Sequence, residues 1–128
     1  MRRPGYLTCI VTVGLLASLA VGCKSSSDPP DFGNAGELYM EAQKALNSGD
    51  TEQAITLLSQ SIEADPMVWA YRDRAWLYAK ADRDDDAKAD IEKGMELSPG
   101  DYELTWLQGE LAKPKGKRQL DKRPQATK

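Results

Sequence analysis

The sequence lacks several residues and motifs on which enzyme chemistry most often depends. It contains no histidine, so the commonest general base and metal ligand is absent. No glycine-rich phosphate loop and no G-x-S-x-G nucleophile motif occurs in its 128 residues. We therefore predict that the protein is not an enzyme, and we expect no catalytic residue, no cofactor and no metal site.

Cysteine is also scarce, and its placement points to an export signal. The chain contains only Cys9 and Cys23. Cys9 lies within an apolar run without charges, residues 7–21, which follows Arg2 and Arg3. This run is shorter than the roughly 20 apolar residues that a membrane-spanning helix needs. A positive start followed by a short apolar run is typical of an export signal, and loss of that signal would leave Cys23 without a disulfide partner.

The end of the apolar run, Leu19-Ala20-Val21-Gly22-Cys23, resembles the lipobox of bacterial lipoproteins. The resemblance implies a signal peptide over residues 1–22, a lipid (palmitate) on Cys23, and anchoring in a bacterial cell envelope. Lys24 lacks the aspartate that retains many lipoproteins at the inner membrane, so the resemblance implies the periplasmic side of the outer membrane if the source has two membranes. The alternatives are an ordinary secretory signal and a true transmembrane anchor.

Charge is divided unevenly along the rest of the chain. Residues 23–112 carry 19 acidic and 8 basic side chains, whereas residues 113–128 carry 1 acidic and 7 basic side chains. The basic end contains Pro114, Gly116 and Pro124 and little to bury, which is typical of a solvated, disordered tail. The alternative is contact with anionic lipid, a cell-wall polymer, an acidic partner or the acidic body of the same chain. Nucleic acid is not expected as a partner of an exported protein.

A change in composition separates a tether from a helical domain. Residues 23–33 are rich in serine, proline and aspartate, so we expect a flexible tether. Residues 34–112 have apolar residues at spacings of three and four, which indicates helices, and no alternating strand pattern competes. The start signals predict helices over residues 34–48, 50–64, 65–81, 82–97 and 98–113. The predicted capping residues of the later helices are Asp50, Asp65, Asp82 or Asp84, and Ser98 with Asp101.

Two parts of this domain are related by a shift of 33 residues. A fixed period near 34 is typical of helical-hairpin repeats, in which each unit buries its apolar face only against its neighbours. Small residues recur where the two helices of a hairpin approach closely, because a larger side chain would push the helices apart. The matched residues are Ala42, Ala54, Leu58, Asp65 and Pro66 in the first unit and Ala75, Ala87, Ile91, Ser98 and Pro99 in the second.

Together with Gly49-Asp50 and Gly94, these residues resemble the tetratricopeptide repeat. The resemblance covers roughly residues 35–111 and implies an all-α fold, a short stack of two helical hairpins with a closing helix. One departure is Ser61, which stands where the repeat usually has a small alanine. The signature of this family is structural, so it implies a binding role and not a reaction.

The concave face of the stack is the predicted binding surface. In the tetratricopeptide family the first helix of each hairpin lines this face, and tyrosine, tryptophan and arginine are enriched in binding hot spots. Trp69 and Trp76 are two helical turns apart and so lie on one side of their helix. Alternatively, Trp69 packs over the turn at Pro66 and Trp76 fills the gap to the first repeat. The resemblance places six residues on the concave face: Tyr39, Trp69, Arg72, Trp76, Tyr102 and Thr105.

The expected partner is a protein or peptide held in the groove of a lipid-anchored scaffold, which would help to assemble a complex of the cell envelope. The alternative is a structural protein that forms homo-oligomers through the open end of the stack. In that case the basic tail would contact the cell wall or anionic lipid. In both cases the lipid on Cys23 is the predicted attachment to the membrane.

One acidic cluster has the spacing of a metal loop. Asp82, Asp84 and Asp86 alternate as in the opening of a calcium-binding loop, which also needs glycine at its sixth position and a bidentate carboxylate at its twelfth. Here those positions are Ala87 and Lys93. We therefore predict that the cluster caps a helix and favours its N-terminal dipole.

Overall fold

The computed structural model describes residues 33–124, which form a stack of helical hairpins. No strand occurs within this range, and the predicted all-α fold is confirmed. Two short 3₁₀ helices, Lys115–Lys117 and Leu120–Lys122, follow the last α-helix. The α-helices of this range are α1 (Gly33–Ser48), α2 (Thr51–Ala64), α3 (Val68–Lys80), α4 (Asp84–Leu97) and α5 (Tyr102–Leu111).

The N-terminal predictions fall almost wholly outside this range. The signal peptide of residues 1–22, the lipid site Cys23 and the tether up to residue 32 lie outside the described residues, as do residues 125–128 of the tail. Among the helices between residues 33 and 124, none is both long enough and apolar enough to cross a membrane.

The helices pack in the order that the repeat pattern predicts. Helix α1 packs on α2 and α3 packs on α4, while α2 also contacts α3 and so joins the two hairpins. Ala42, Ala54, Ala75 and Ala87 have an exposed fraction of 0 %, as expected where paired helices approach closely. Helix α5 packs against α4 and α3 and closes the stack. The described residues therefore form a short tetratricopeptide-like helical stack.

The closing helix α5 approaches α4 closely at Gly94. A Cβ atom placed on Gly94 would lie 2.6 Å from Cδ1 of Leu104, a residue of α5 with no exposed surface. The Cβ of Tyr71 on α3 would lie 3.4 Å away. Glycine at this position therefore lets three helices meet.

Two of the predicted caps are formed. The carboxylate of Asp50 accepts a hydrogen bond from the backbone N–H of Gln53 at 3.0 Å. The carboxylate of Asp101 accepts one from the backbone N–H of Leu104, also at 3.0 Å. Gly49, with φ of 84°, makes the left-handed turn before Asp50. These contacts set the starts of α2 and α5.

The other predicted caps are wrong. Asp65 is the C-cap of α2: its backbone N–H makes the last helical hydrogen bond, to the carbonyl of Ser61 at 3.0 Å, and its own backbone is extended. Helix α3 begins only at Val68. No side chain caps α4. Asp82 has φ of 59° and belongs to the turn before α4. The carboxylate of Asp84 accepts hydrogen bonds from Arg118 of the C-terminal tail and does not cap the helix.

The basic tail, for which the sequence predicts disorder from residue 113 onward, lies against the helical stack in its described part, up to Pro124. Its second 3₁₀ helix, Leu120–Lys122, packs against α3. Arg118 donates to both carboxylate oxygens of Asp84 on α4, at 2.8 and 2.7 Å. The basic side chains of the tail thus meet carboxylates of the acidic body, which is one of the contacts that the charge asymmetry predicts.

Candidate functional site

A groove of about 810 Å³ runs along the first helices of the hairpins. Tyr39 on α1, Trp76 on α3 and Glu103 on α5 line it, together with the tail. Of the six residues predicted for the concave face, three line the groove: Tyr39, Arg72 and Trp76.

Asp73 is the acidic centre of this groove, although only 5 % of its surface is exposed. Its Oδ2 accepts hydrogen bonds from the hydroxyl of Tyr39 at 2.9 Å and from the side-chain amide of Gln43 at 2.6 Å. Burial and the neighbouring carboxylate of Asp73 raise the pKa of the Tyr39 hydroxyl well above its ordinary value. Tyr39 therefore stays protonated and acts as a donor to the carboxylate.

Arg72 connects α3 to α5 and does not reach freely into the groove. Its Nη1 lies 3.1 Å from Oε1 of Glu103 and 3.5 Å from Oδ2 of Asp101. These two carboxylates hold the guanidinium in place. Arg72 thus lines the groove and also holds the carboxylate of Glu103 in position.

The tail inserts an arginine between the two groove carboxylates. Nη2 of Arg123 donates to Oδ1 of Asp73 at 2.6 Å, and its Nε donates to Oε2 of Glu103 at 2.8 Å. The guanidinium carbon lies 5.5 Å from the centre of the Trp76 ring, within the range of a cation–π interaction. Three groups therefore contact one guanidinium: two carboxylates and an aromatic face.

The groove also binds the main chain of the tail. Nε1 of Trp76 donates to the backbone carbonyl of Leu120 at 2.8 Å. The side chain of Leu120 is partly buried against the hydrophobic core. Trp76 thus contacts the tail through its N–H and through its ring, and it does not simply fill the gap to the first repeat.

Further polar contacts hold the first part of the tail, residues 113–119, which we call the base of the tail. Glu110 accepts a hydrogen bond from Nζ of Lys113 at 2.5 Å and one from the backbone N–H of Gln119 at 2.8 Å. These two bonds hold the pKa of the Glu110 carboxyl below its ordinary value. The hydrogen bonds from Arg118 likewise hold the pKa of Asp84 below its ordinary value.

The remaining predicted residues lie at the rim or away from the groove. Trp69 is 37 % exposed and meets Tyr39 edge to face, with ring centres 6.5 Å apart. Tyr102 is 72 % exposed, and the hydroxyl of Thr105 donates within its own helix, to the carbonyl of Asp101 at 2.7 Å. Tyr102 and Thr105 do not line the groove.

Sequence reasoning missed the residues that give the groove its charge. Asp73, Glu103 and Arg123 have no motif of their own, because single charged residues in helices and tails are common on solvated surfaces. The signal that points to them is the charge asymmetry between the acidic body and the basic tail.

The acidic cluster of Asp82, Asp84 and Asp86, at the start of α4, pairs with cations of the chain. Asp82 lies 3.0 Å from Nζ of Lys115, and Asp86 accepts from Nε of Arg83 at 2.8 Å. No group of histidine, cysteine or carboxylate side chains between residues 33 and 124 is arranged to hold a metal ion.

Known proteins share a short stretch of this sequence. A segment of 60 residues is 42 % identical to part of sperm-associated antigen 1 from Homo sapiens. The same length is 38 % identical to the proteins of that name from Rattus norvegicus and Mus musculus. The match covers 47 % of this chain but only 6 % of the human protein and 7 % of the rodent proteins. No family model and no solved structure matches the chain.

Proposed function

We propose that this protein is a protein-interaction scaffold whose groove holds a short segment of a partner protein. The observation that carries the proposal is the tail itself, since the groove already holds a peptide segment through both main chain and side chain. Stacks of helical hairpins present extended concave surfaces that suit this kind of binding.

The lining of the groove supports this function. Tyr39 and Trp76 provide aromatic surface, and aromatic residues are enriched among the residues that dominate binding energies. Asp73 and Glu103 add two carboxylates whose positions are held by neighbouring donors. Preorganised polar groups bind with a smaller loss of side-chain entropy than mobile ones.

We further propose that the scaffold acts at a membrane of the bacterial cell envelope, anchored through a lipid on Cys23. This part rests on the sequence alone, on the apolar run that ends in Gly22-Cys23. The nine residues 24–32, which precede α1, would span at most ~32 Å if extended, which would keep the groove close to the membrane. Cys23→Ala is expected to abolish labelling with radioactive palmitate and to shift the protein into the soluble fraction. Membrane association that persists in this variant would contradict the anchor.

Site-specific photo-crosslinking tests the groove as a binding surface. A photo-reactive amino acid in place of Asn47, an exposed residue that lines the groove, is expected to crosslink a defined partner protein in cells. The matched control carries the same amino acid in place of Lys93, an exposed residue of α4 outside the groove. Equal crosslinking from both positions, or none from Asn47, would reject the proposed function.

A further inference from the structure

We propose that the groove selects a basic peptide segment whose arginine enters the site that Arg123 now fills, so that the tail and the partner compete for this site. The inference rests on the proposed binding function of the groove and names the chemistry of its partner. It also assigns a role to the tail, as a ligand within the same chain.

The site is built for a guanidinium group. Nη2 of Arg123 lies 2.6 Å from Oδ1 of Asp73 and 2.7 Å from Oε2 of Glu103, while its Nε also donates to Glu103. The ring of Trp76 lies beside the guanidinium carbon. A lysine ammonium is a compact charge and lacks the planar fork that reaches two carboxylates while it stacks on a ring. The contacts therefore favour arginine over lysine.

If the tail leaves the groove, the carboxylate of Asp73 loses its positively charged partner. The side chain of Asp73 is nearly buried, and without Arg123 its carboxylate keeps only the neutral donors Tyr39 and Gln43. Glu103 by contrast retains the guanidinium of Arg72. Asp73 thereby loses its cationic partner, so the vacated groove favours a new cationic ligand.

The tail also indicates how a partner segment would lie. Its Leu120 provides the carbonyl that accepts from Trp76, and Arg123 follows three residues later. The side chain of Leu120 packs against the core, so an apolar residue suits that place in a ligand. The preferred partner segment is therefore an apolar residue, two further residues and then arginine.

The base of the tail keeps this internal ligand close to its site. Arg118 pairs with both oxygens of Asp84, and Gln119 donates to Glu110, so the segment 119–124 starts beside the groove. A short tether of this kind gives an effective concentration on the order of millimolar. A free partner must displace the tail, which lowers its apparent affinity by the fraction of molecules with an open groove.

Peptide binding to the full-length chain tests the proposal. The probe is a fluorescent peptide with the sequence of residues 119–124, Gln-Leu-Asp-Lys-Arg-Pro, and its binding is measured by fluorescence anisotropy. Arg123→Gln in the protein is expected to bind this peptide at least about tenfold more tightly than the unchanged protein, because the internal competitor is lost. The control Lys122→Gln removes an exposed charge of the same tail and is expected to bind like the unchanged protein.

The selectivity is tested on the peptide itself. Replacement of its arginine by glutamine is expected to weaken binding to the Arg123→Gln protein at least about tenfold, and replacement by lysine to weaken it less. Circular dichroism checks that the protein variant is folded. If it is not, Arg123→Lys keeps the positive charge and is expected to bind the probe with an affinity between the unchanged protein and a protein with an open groove.

Several results would overturn the inference. Equal peptide affinity of the unchanged and Arg123→Gln proteins would mean that the tail does not compete. Equal binding of the arginine and glutamine peptides would mean that the groove does not select arginine, although groove crosslinks from Asn47 would still support a scaffold. Dimers of the unchanged protein that are lost in Arg123→Gln would identify the tail of a second copy as the occupant. Arginine-dependent peptide binding without any groove crosslink would instead reject the proposed function.

Discussion

Arg74 and Asp90 form a bidentate ion pair within the second hairpin. Nε of Arg74 lies 2.8 Å from Oδ2 of Asp90, and its Nη2 lies 2.6 Å from Oδ1. Nη1 of the same arginine donates to the hydroxyl of Ser59 on α2 at 2.8 Å. The guanidinium carbon lies 5.9 and 5.7 Å from the ring centres of Tyr71 and Tyr78. One side chain on α3 therefore links α2 with α4 and ties the two hairpins together.

Removal of the carboxylate from this pair is expected to destabilise the fold strongly. Asp90→Ala leaves the guanidinium of Arg74 without its counter-charge in a site that is largely shielded from solvent, and we expect a loss of about 3–5 kcal/mol. Urea denaturation measures the change. Asp86→Ala, which breaks an exposed pair with Arg83 on the same helix, is the control and should leave the midpoint almost unchanged. Similar midpoints for both variants would contradict the role given to Arg74.

Two glycine-to-alanine substitutions are expected to act in opposite directions. Gly94→Ala brings a Cβ to within 2.6 Å of the buried Leu104, and the overpacking cost of about 1–3 kcal/mol exceeds the gain in helix propensity of up to about 1 kcal/mol. Gly109→Ala on α5 meets no atom within 4 Å, so only the propensity gain remains. Thermal unfolding should show a lower melting temperature for the first and a higher one for the second. A stabilised Gly94→Ala would mean that α4 and α5 do not approach closely.

Position 87 tests the contact between the helices of the second hairpin. Ala87 has no exposed surface, so Ala87→Leu is expected to cost about 1–3 kcal/mol through overpacking. Ala89 is exposed on the same helix, and Ala89→Leu therefore provides a matched control with little expected effect. Chemical denaturation compares the two variants, and equal midpoints would exclude the close packing of α3 and α4.

The base of the tail is expected to detach in acid before the helices unfold. Because hydrogen bonds lower the pKa of Asp84 and Glu110 from ordinary values of 3.8 and 4.5, their stabilising contribution is complete above about pH 4.5. It is lost as the pH falls through the lowered values, when both carboxyls take up protons. The NMR signal of the Gln119 amide, which donates to Glu110, reports this step.

Arg118→Gln provides the control for this acid transition. The substitution removes the donors that lower the pKa of Asp84, so the transition should begin at higher pH than in the unchanged protein. A Gln119 signal that changes only together with global unfolding would show that the tail does not form a separate unit.

The helices could be predicted from the sequence because their determinants lie close together along the chain. Asp50 caps α2 through Gln53, three residues away, and the buried alanines follow the period of the repeat. The prediction of an N-cap at Asp65 was wrong because Pro66 after an acidic residue also fits a turn, and here Asp65 ends the preceding helix. Local patterns thus predict that a helix is present more accurately than they predict the residue at which it begins.

The groove could be predicted only in part, because its charges pair over long distances in sequence. Tyr39 and Trp76 follow from the repeat, whereas the contact between Asp73 and Arg123 joins residues 50 positions apart and has no periodic signal. Ser61 is a related case, since it stands where the repeat usually has alanine. Its hydroxyl donates to the buried carbonyl of Ala35 on α1 at 2.8 Å, which no local pattern indicates.

The difference in sequence separation between the hairpin contacts and the tail contacts also predicts the order in which they form during folding. The hairpins form from neighbouring helices, and contacts that are close in sequence form early because little chain entropy is lost in closing them. The contact of Arg123 with Asp73 closes a far longer loop, so we expect the tail to dock last, onto a helical stack that is already assembled. By the same reasoning the tail can leave while the stack stays folded. The groove can therefore exchange its occupant on the timescale of a local opening, without waiting for the protein to unfold.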